Sequence, residues 1–143
     1  MNKKLALIAA AVAGVLAAGV LAGLMVVSHA AGGDSSLEGT WHLTSWSSAD
    51  PIVTADGQPV TLTVTGPEVA GFSGCNRYVG PATLSGTGFK LSGPLASTMM
   101  ACLNDTAETT YLDLLAKADS WAISGGTLTL SAGGQVVLTY VRA

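Results

Sequence analysis

Two regimes of hydrophobic patterning divide the chain. From Leu5 to Val27 no charged or strongly polar residue interrupts a run of Ala, Val, Leu, Ile, Gly and Met. Beyond Leu37 the apolar residues come in short alternating runs separated by glycine-rich turns, the punctuation of an antiparallel β protein. Thr40-Trp41-His42-Leu43-Thr44-Ser45-Trp46 alternates large apolar with polar residues and predicts a first strand, with Trp41, Leu43 and Ser45 on one side. Residues 50–58 form a loop containing Pro51 and the turn signal Asp56-Gly57. Val60-Thr61-Leu62-Thr63-Val64 alternates cleanly, so Val60, Leu62 and Val64 face the core. Gly66-Pro67 turns the chain into a strand from Val69 to Phe72. Ala82-Thr83-Leu84 and Phe89-Lys90-Leu91 flank Ser85-Gly86-Thr87-Gly88 as a hairpin. Strands at 120–123, 128–130 and 136–140 finish the chain, with Gly125-Gly126 and Gly133-Gly134 as the turns between them.

One segment departs from this period. Asp105 is placed to cap a helix, and Glu108 three residues later completes a capping box. Tyr111, Leu114, Leu115 and Ala118 then fall on one helical face. This predicts one helix from Thr106 to Lys117, lying against the sheet and covering apolar surface the sheet cannot bury by itself.

The apolar N-terminal run changes the picture of where the domain works. Met1-Asn2-Lys3-Lys4 is a basic start, and Ser28-His29-Ala30 offers small residues where a signal peptidase cuts. The run is longer than a usual signal core and approaches the ~20 residues that span a bilayer, so residues 1–30 read as a signal peptide or as an uncleaved membrane anchor. Either way the remainder is expected outside the cytoplasm. No Cys ends the leader, so lipid anchoring is not supported. Residues 31–36 read as a Gly/Ser tether and residues 37–143 as one small domain. Without the leader, four basic residues stand against nine acidic ones, a net of −5. An acidic chain without basic clusters argues against nucleic acid as a partner.

The only two cysteines are Cys75 and Cys102. In an exported chain two cysteines normally pair. The bond closes a loop of about 28 residues, worth about 3–4 kcal/mol. Two buried free thiols, or one reactive thiol, are the other readings. Catalytic patterns fit poorly. Gly71-Phe72-Ser73-Gly74-Cys75 lacks the last glycine of a nucleophile elbow and the strand-to-helix context. His42, the one histidine after the leader, is expected at the surface, opposite the Trp41/Leu43 side. Cys75 with His42 and Asn76 would be the thiol-protease alternative. No ligand spacing for zinc or calcium and no phosphate loop is present. Asn104-Asp105-Thr106 is formally a glycosylation sequon. Trp41, Trp46, Tyr78, Trp121 and Tyr140 are expected mainly in the core, with a subset lining a cleft of a partly open barrel. Met99 and Met100 read as packing residues next to Cys102. Arg77 either bonds carbonyls to fix its loop or meets an anionic partner.

These residues resemble the META domain family, the HslJ-like proteins. Gly39-Thr40-Trp41-His42-Leu43 is similar to the family's opening Gly-x-Trp strand. Gly74, Cys75, Asn76 and Arg77 sit in a match to its Gly-Cys-Asn-Arg motif, and Ser97, Thr98, Met100 and Cys102 in a match to its Ala-Ser-Thr-x-Met-x-Cys motif. Glu108 with Tyr111-Leu112 is similar to its helix, and residues 128–140 to its closing hairpin. The resemblance implies a compact α+β fold: a strongly curved antiparallel sheet, partly open and barrel-like, with one packed helix. It also implies a secreted or envelope location and a link to stress responses, and it carries over no catalytic, cofactor-binding or metal-binding residue. The expected function is an exported, non-enzymatic envelope module for stress or interaction. The alternative is a small-molecule or lipid-binding protein using an apolar cleft of the sheet. Expected partners are an envelope protein or an apolar ligand, with the membrane met only through an uncleaved N-terminal segment, and the chain is expected to be a monomer.

Overall fold

The computed structural model describes residues 36–102 and 106–143. The leader and most of the tether, the proposed cap at Asp105 and the sequon at Asn104 lie outside the described residues. The strands are β1 (Gly39–Trp46), β2 (Thr61–Thr65), β3 (Glu68–Phe72), β4 (Arg77–Ser85), β5 (Gly88–Leu91), β6 (Ala96–Ser97), β7 (Ser120–Ser124), β8 (Thr127–Ala132) and β9 (Gln135–Arg142). Among the described residues one helix, α1 (Thr106–Lys117), precedes β7. Among the described residues no helix is long and apolar enough to cross a membrane.

The sheet is closed, where the sequence suggested a partly open one. Following the ring, β3, β2, β1, β9, β8, β7, β5 and β4 pair in that order, and β4 pairs back with β3. The closure depends on two long-range joints. β1 meets the last strand, with Trp41 opposite Arg142 and Leu43 opposite Tyr140. β5 meets β7 through the Gly88–Ser120 pair, reinforced by Phe89 N–H to Asp119 O at 3.1 Å and Trp121 N–H to Thr87 O at 2.8 Å. Eight strands make a ring just wide enough for side chains to fill. Trp41, Leu62, Leu128, Leu130, Leu138 and Tyr140 occupy it without solvent exposure.

Local chemistry accounts for most of the elements. Gly125-Gly126 and Gly133-Gly134 all have positive φ, between 57° and 81°. That is the demand of a two-residue hairpin turn whose twist matches its strands. Val60, Leu62 and Val64 are buried as their alternation predicts. β1 shows where alternation stops being a guide. Its register with β9 shifts between Leu43 and Ser45, and the extra residue turns the strand over. Ser45, expected on the Trp41/Leu43 side, is therefore exposed, and Trp46 turns inward opposite Leu138. His42 lies opposite Thr61 and Val141 and is half-buried rather than fully exposed.

α1 packs against β5 and β9, and Glu108 in its first turn reaches the β3–β4 turn. Its buried residues are Ala107, Tyr111 and Leu115, and Ala118 just past its end continues the stripe at helical spacing. Leu114 is only partly buried and flanks that stripe. Tyr111 brings its hydroxyl into the ring, 2.8 Å from Tyr78 and 3.2 Å from Tyr140. Tyr78 also donates to Thr61 O at 2.8 Å. The protons can run in one direction, from Tyr140 to Tyr111 to Tyr78 to the Thr61 carbonyl, so each buried hydroxyl is satisfied. Burial raises the pKa of all three hydroxyls well above 10.0.

This arrangement explains Gly71. The β2–β3 ladder runs from Thr65–Glu68 to Thr63–Ala70 and stops there. Thr61 then turns its carbonyl toward the tyrosines, and its hydroxyl takes Phe72 N–H at 2.9 Å. A side chain at Gly71 would place Cβ 2.1 Å from Thr61 O and 2.9 Å from the Tyr78 hydroxyl.

Candidate functional site

The motif residues singled out by the sequence meet at one place, where the β3–β4 turn faces the segment leading toward α1. Ser73 N–H donates to Asn76 O at 2.8 Å and closes the turn. Gly74 sits at φ 109°, a conformation side chains rarely adopt. Its carbonyl accepts from Ala55 N–H at 2.7 Å, tying the turn to the preceding loop. Cys75, almost fully buried, is bonded to the half-buried Cys102, with 6.0 Å between their Cα atoms. That spacing is within the usual range for a disulfide.

Asn76 organises the loop. It is 6% exposed. Its Oδ1 accepts from Met100 N–H at 2.7 Å and from Thr98 Oγ1 at 3.0 Å. Its Nδ2 donates to Met100 O at 3.4 Å and to Glu108 Oε2 at 3.0 Å. The other carboxylate oxygen, Glu108 Oε1, lies 2.6 Å from Ser73 Oγ. That hydroxyl is fully buried and also faces Asn76 O at 2.8 Å, so two acceptors share its one proton. Thr98 completes the link: its hydroxyl accepts from Arg77 N–H at 3.0 Å, and its own N–H donates to Arg77 O at 3.0 Å. Ser97 sits in β6 opposite Tyr78.

Three sequence expectations change here. Glu108, read as half of a capping box, spends both carboxylate oxygens on Ser73 and Asn76. Arg77 fixes the loop through its backbone; its side chain is exposed, and among the described residues its guanidinium makes no hydrogen bond. Met99 and Met100, read as packing residues, are 93% and 63% exposed. Of the aromatic rings, Trp41, Tyr78 and Tyr140 are buried, while Trp46 and Trp121 pack partly buried against the core. The signal that could have marked Glu108 was its position one turn before Tyr111, on the side of the helix that meets the two cysteine motifs.

Segment 97–102 and the Glu108–Asp113 side of α1 enclose an open groove of about 670 Å³, with Leu112 partly buried in its wall. In the disulfide form Cys75 carries no thiolate, and the Ser73 hydroxyl is buried among its partners. His42 stands in β1 opposite Thr61 and Val141, and no hydrogen bond joins it to Ser73 or Cys75. Among the described residues no group of three or more His, Cys, Asp or Glu is placed to hold a metal.

A family model described as the META domain matches residues 35–143. Among solved structures, the NMR structure of a protein from Burkholderia xenovorans is 30% identical with a TM-score of 0.62, over 74% of this chain and 82% of that one. A second NMR structure is 26% identical with a TM-score of 0.55, over 73% of this chain and 89% of that one. The crystal structure of a DUF4847-family protein from Bacteroides vulgatus is 12% identical with a TM-score of 0.53, over 74% and 93%, and shares the fold alone. Among curated proteins none matches the sequence. The closed barrel, the paired cysteines in their two motifs and the match across all described residues lead to one assignment: the chain belongs to the META domain family.

Proposed function

We propose that the domain is an exported, non-enzymatic interaction module of the cell envelope, and that it presents the Met99-Met100 loop to a protein partner. The observation that carries this reading is an apolar pair displayed on a fixed support. Met99 is 93% exposed, yet the Met100 backbone beside it is held by Asn76, and the Cys75–Cys102 bond ties the same segment down two residues later. Two adjacent exposed apolar side chains on a fixed support offer a contiguous apolar contact surface. A pre-ordered loop loses little entropy when it binds, and methionine adapts to varied apolar surfaces. Export is supported by the leader pattern and by the cysteine pair, which persists in oxidising compartments. Ligand capture inside the ring is less favoured, because the inward side chains pack against one another there.

The test uses the full chain expressed in a bacterium, with a photoreactive residue at position 99 or at position 136. Val136 is half exposed on β9 and serves as the control. A discrete protein adduct in the envelope fraction from position 99, absent from position 136, supports the reading. Equal adducts from both positions, none from either, or a cytoplasmic chain with free thiols overturns it.

A further inference from the structure

Among the described residues, the ring leaves a free sheet edge at β6 alone. β6 uses one of its edges against β4. Thr98 N–H donates to Arg77 O and the Thr98 hydroxyl takes Arg77 N–H, so Arg77 and Thr98 are bonded to each other and Tyr78 and Ser97 are the next, non-bonded pair. Alternation then sends the backbone N–H and C=O of Ser97 away from β4, and those of Met99 the same way. Asn76 carries the pairing past the start of β4, since its carboxamide bonds both the N–H and the C=O of Met100. Residues 96, 98 and 100 thus lock the inner edge of one extended segment, and residues 97 and 99 offer its outer edge. Among the described residues, nothing outside the ladder bonds the backbone of Ser97 or Met99.

That outer edge opens onto the groove beside α1. A strand edge on one side and a helix on the other is an arrangement that receives extended peptides. The groove also carries chemistry. Leu112 gives its wall an apolar patch, and its lining charges are Glu108 and Asp113, with no basic residue among them. Glu108 is engaged by Ser73 and Asn76, so exposed Asp113 is the carboxylate left for a ligand. A second copy of this chain is a poor occupant, because each copy brings the same acidic wall and a net charge of −5 beyond its leader.

We infer that this groove binds an extended segment of a partner protein by strand addition: its backbone pairs with Ser97 and Met99, an apolar side chain rests on Leu112, and a Lys or Arg meets Asp113. The inference rests on the reading of the domain as an interaction module and supplies its mode of recognition.

The probes are capped five-residue peptides, Thr-Val-Xaa-Val-Thr, with Xaa as Lys, Arg or Glu. A further Lys peptide is N-methylated on the amides that would face the edge. They are titrated into isotope-labelled, oxidised domain and followed by NMR. The expected result is a downfield shift of the Ser97 and Met99 amide protons. Binding should be about ten-fold weaker for the Glu peptide and for the N-methylated peptide, the worth of one or two hydrogen bonds. Ser97→Pro removes an N–H from the outer edge only, a position a strand tolerates, and weakens binding to the same degree. Should that variant not fold, the N-methylated peptide poses the same question from the ligand side. Equal binding by methylated and unmethylated peptides, shifts confined elsewhere, or no binding at millimolar peptide overturns strand addition. Concentration-dependent shifts of these amides without peptide overturn it in favour of self-pairing. An adduct at position 99 in cells together with failure of every peptide leaves the interaction reading standing and removes the strand-addition mode.

Discussion

Asn76 and Met100 are joined as two strands would be, with a side chain standing in for one backbone: Oδ1 takes the Met100 N–H at 2.7 Å and Nδ2 faces the Met100 carbonyl at 3.4 Å. The same Nδ2 lies 3.0 Å from Glu108 Oε2. Asn76→Asp keeps the shape, removes that donor and sets one carboxylate against another in a buried place. A loss of about 3 kcal/mol or more in unfolding free energy is expected near neutral pH. It should shrink as acid protonates the introduced carboxyl. Urea titrations across a pH series measure both effects, and a loss that does not change with pH would contradict this account.

The disulfide has its own expected weight. Reduction, or Cys75→Ser with Cys102→Ser, should lower stability by about 3–4 kcal/mol. The loop it closes has a sequence separation of 27. Denaturation with and without reductant gives the number, and the mass gained on alkylation confirms the initial state. A reduced domain as stable as the oxidised one would show that the hydrogen bonds of Asn76 hold the loop unaided.

The three buried tyrosines make an alkaline signature. Their folded pKa values lie above 10.0 because burial disfavours the phenolate. The unfolded chain releases these protons near pH 10 while the folded chain keeps them. Their contribution is therefore complete below about pH 10 and is lost as pH rises above it, at up to about 4 kcal/mol per pH unit for three groups. Tyrosinate absorbance from these rings should rise together with the loss of β circular dichroism. Phenolate signal from all three in a still-folded domain would contradict the buried network.

The position of each hydroxyl in that network sets a mutational order. Tyr111→Phe leaves the Tyr140 donor without an acceptor and should cost about 1–3 kcal/mol. Tyr140→Phe removes only the outermost donor and should cost about 0.5–1.5 kcal/mol. Chemical denaturation of the two variants tests the central place of the Tyr111 hydroxyl; a larger loss from Tyr140→Phe would contradict it.

Gly71 and Gly86 separate two reasons for glycine. Gly71→Ala drives Cβ into Thr61 O at 2.1 Å and should cost about 3 kcal/mol. Gly86→Ala meets nothing within 4 Å and bears only its φ of 57°, about 1–2 kcal/mol. Thermal or chemical unfolding of the pair should show Gly71→Ala as the more severe change.

The sequence made some of this legible and hid the rest for physical reasons. The face of α1 and the Gly-Gly turns depend on neighbours within a few residues, and pattern alone locates them. Ser45 was misplaced because a bulge inverts the alternation without any mark in composition. Closure of the ring was not visible because the pairings that seal it, Trp41 with Arg142 and Gly88 with Ser120, join residues far apart in the chain. The two cysteine motifs announced a shared site, but Glu108 joined it from a helix where a capping box explained its identity well enough. Tyr78, Tyr111 and Tyr140 each read as an ordinary apolar position; only the fold brings their hydroxyls together at Thr61.

The pairing of β1 with β9 also sets a schedule. The far end of β9 is part of the lock: Arg142 lies over the Trp41 ring at 4.2 Å, and Ala143 N–H donates to Thr40 O at 3.0 Å. A chain synthesised from its N-terminus cannot complete the ring until β9 has emerged, and contacts this distant form late. Until then β1 and β8 each carry a bare edge able to pair with another chain. A stop codon before Gln135 would thus yield an open sheet with two adhesive sides in place of a shorter barrel.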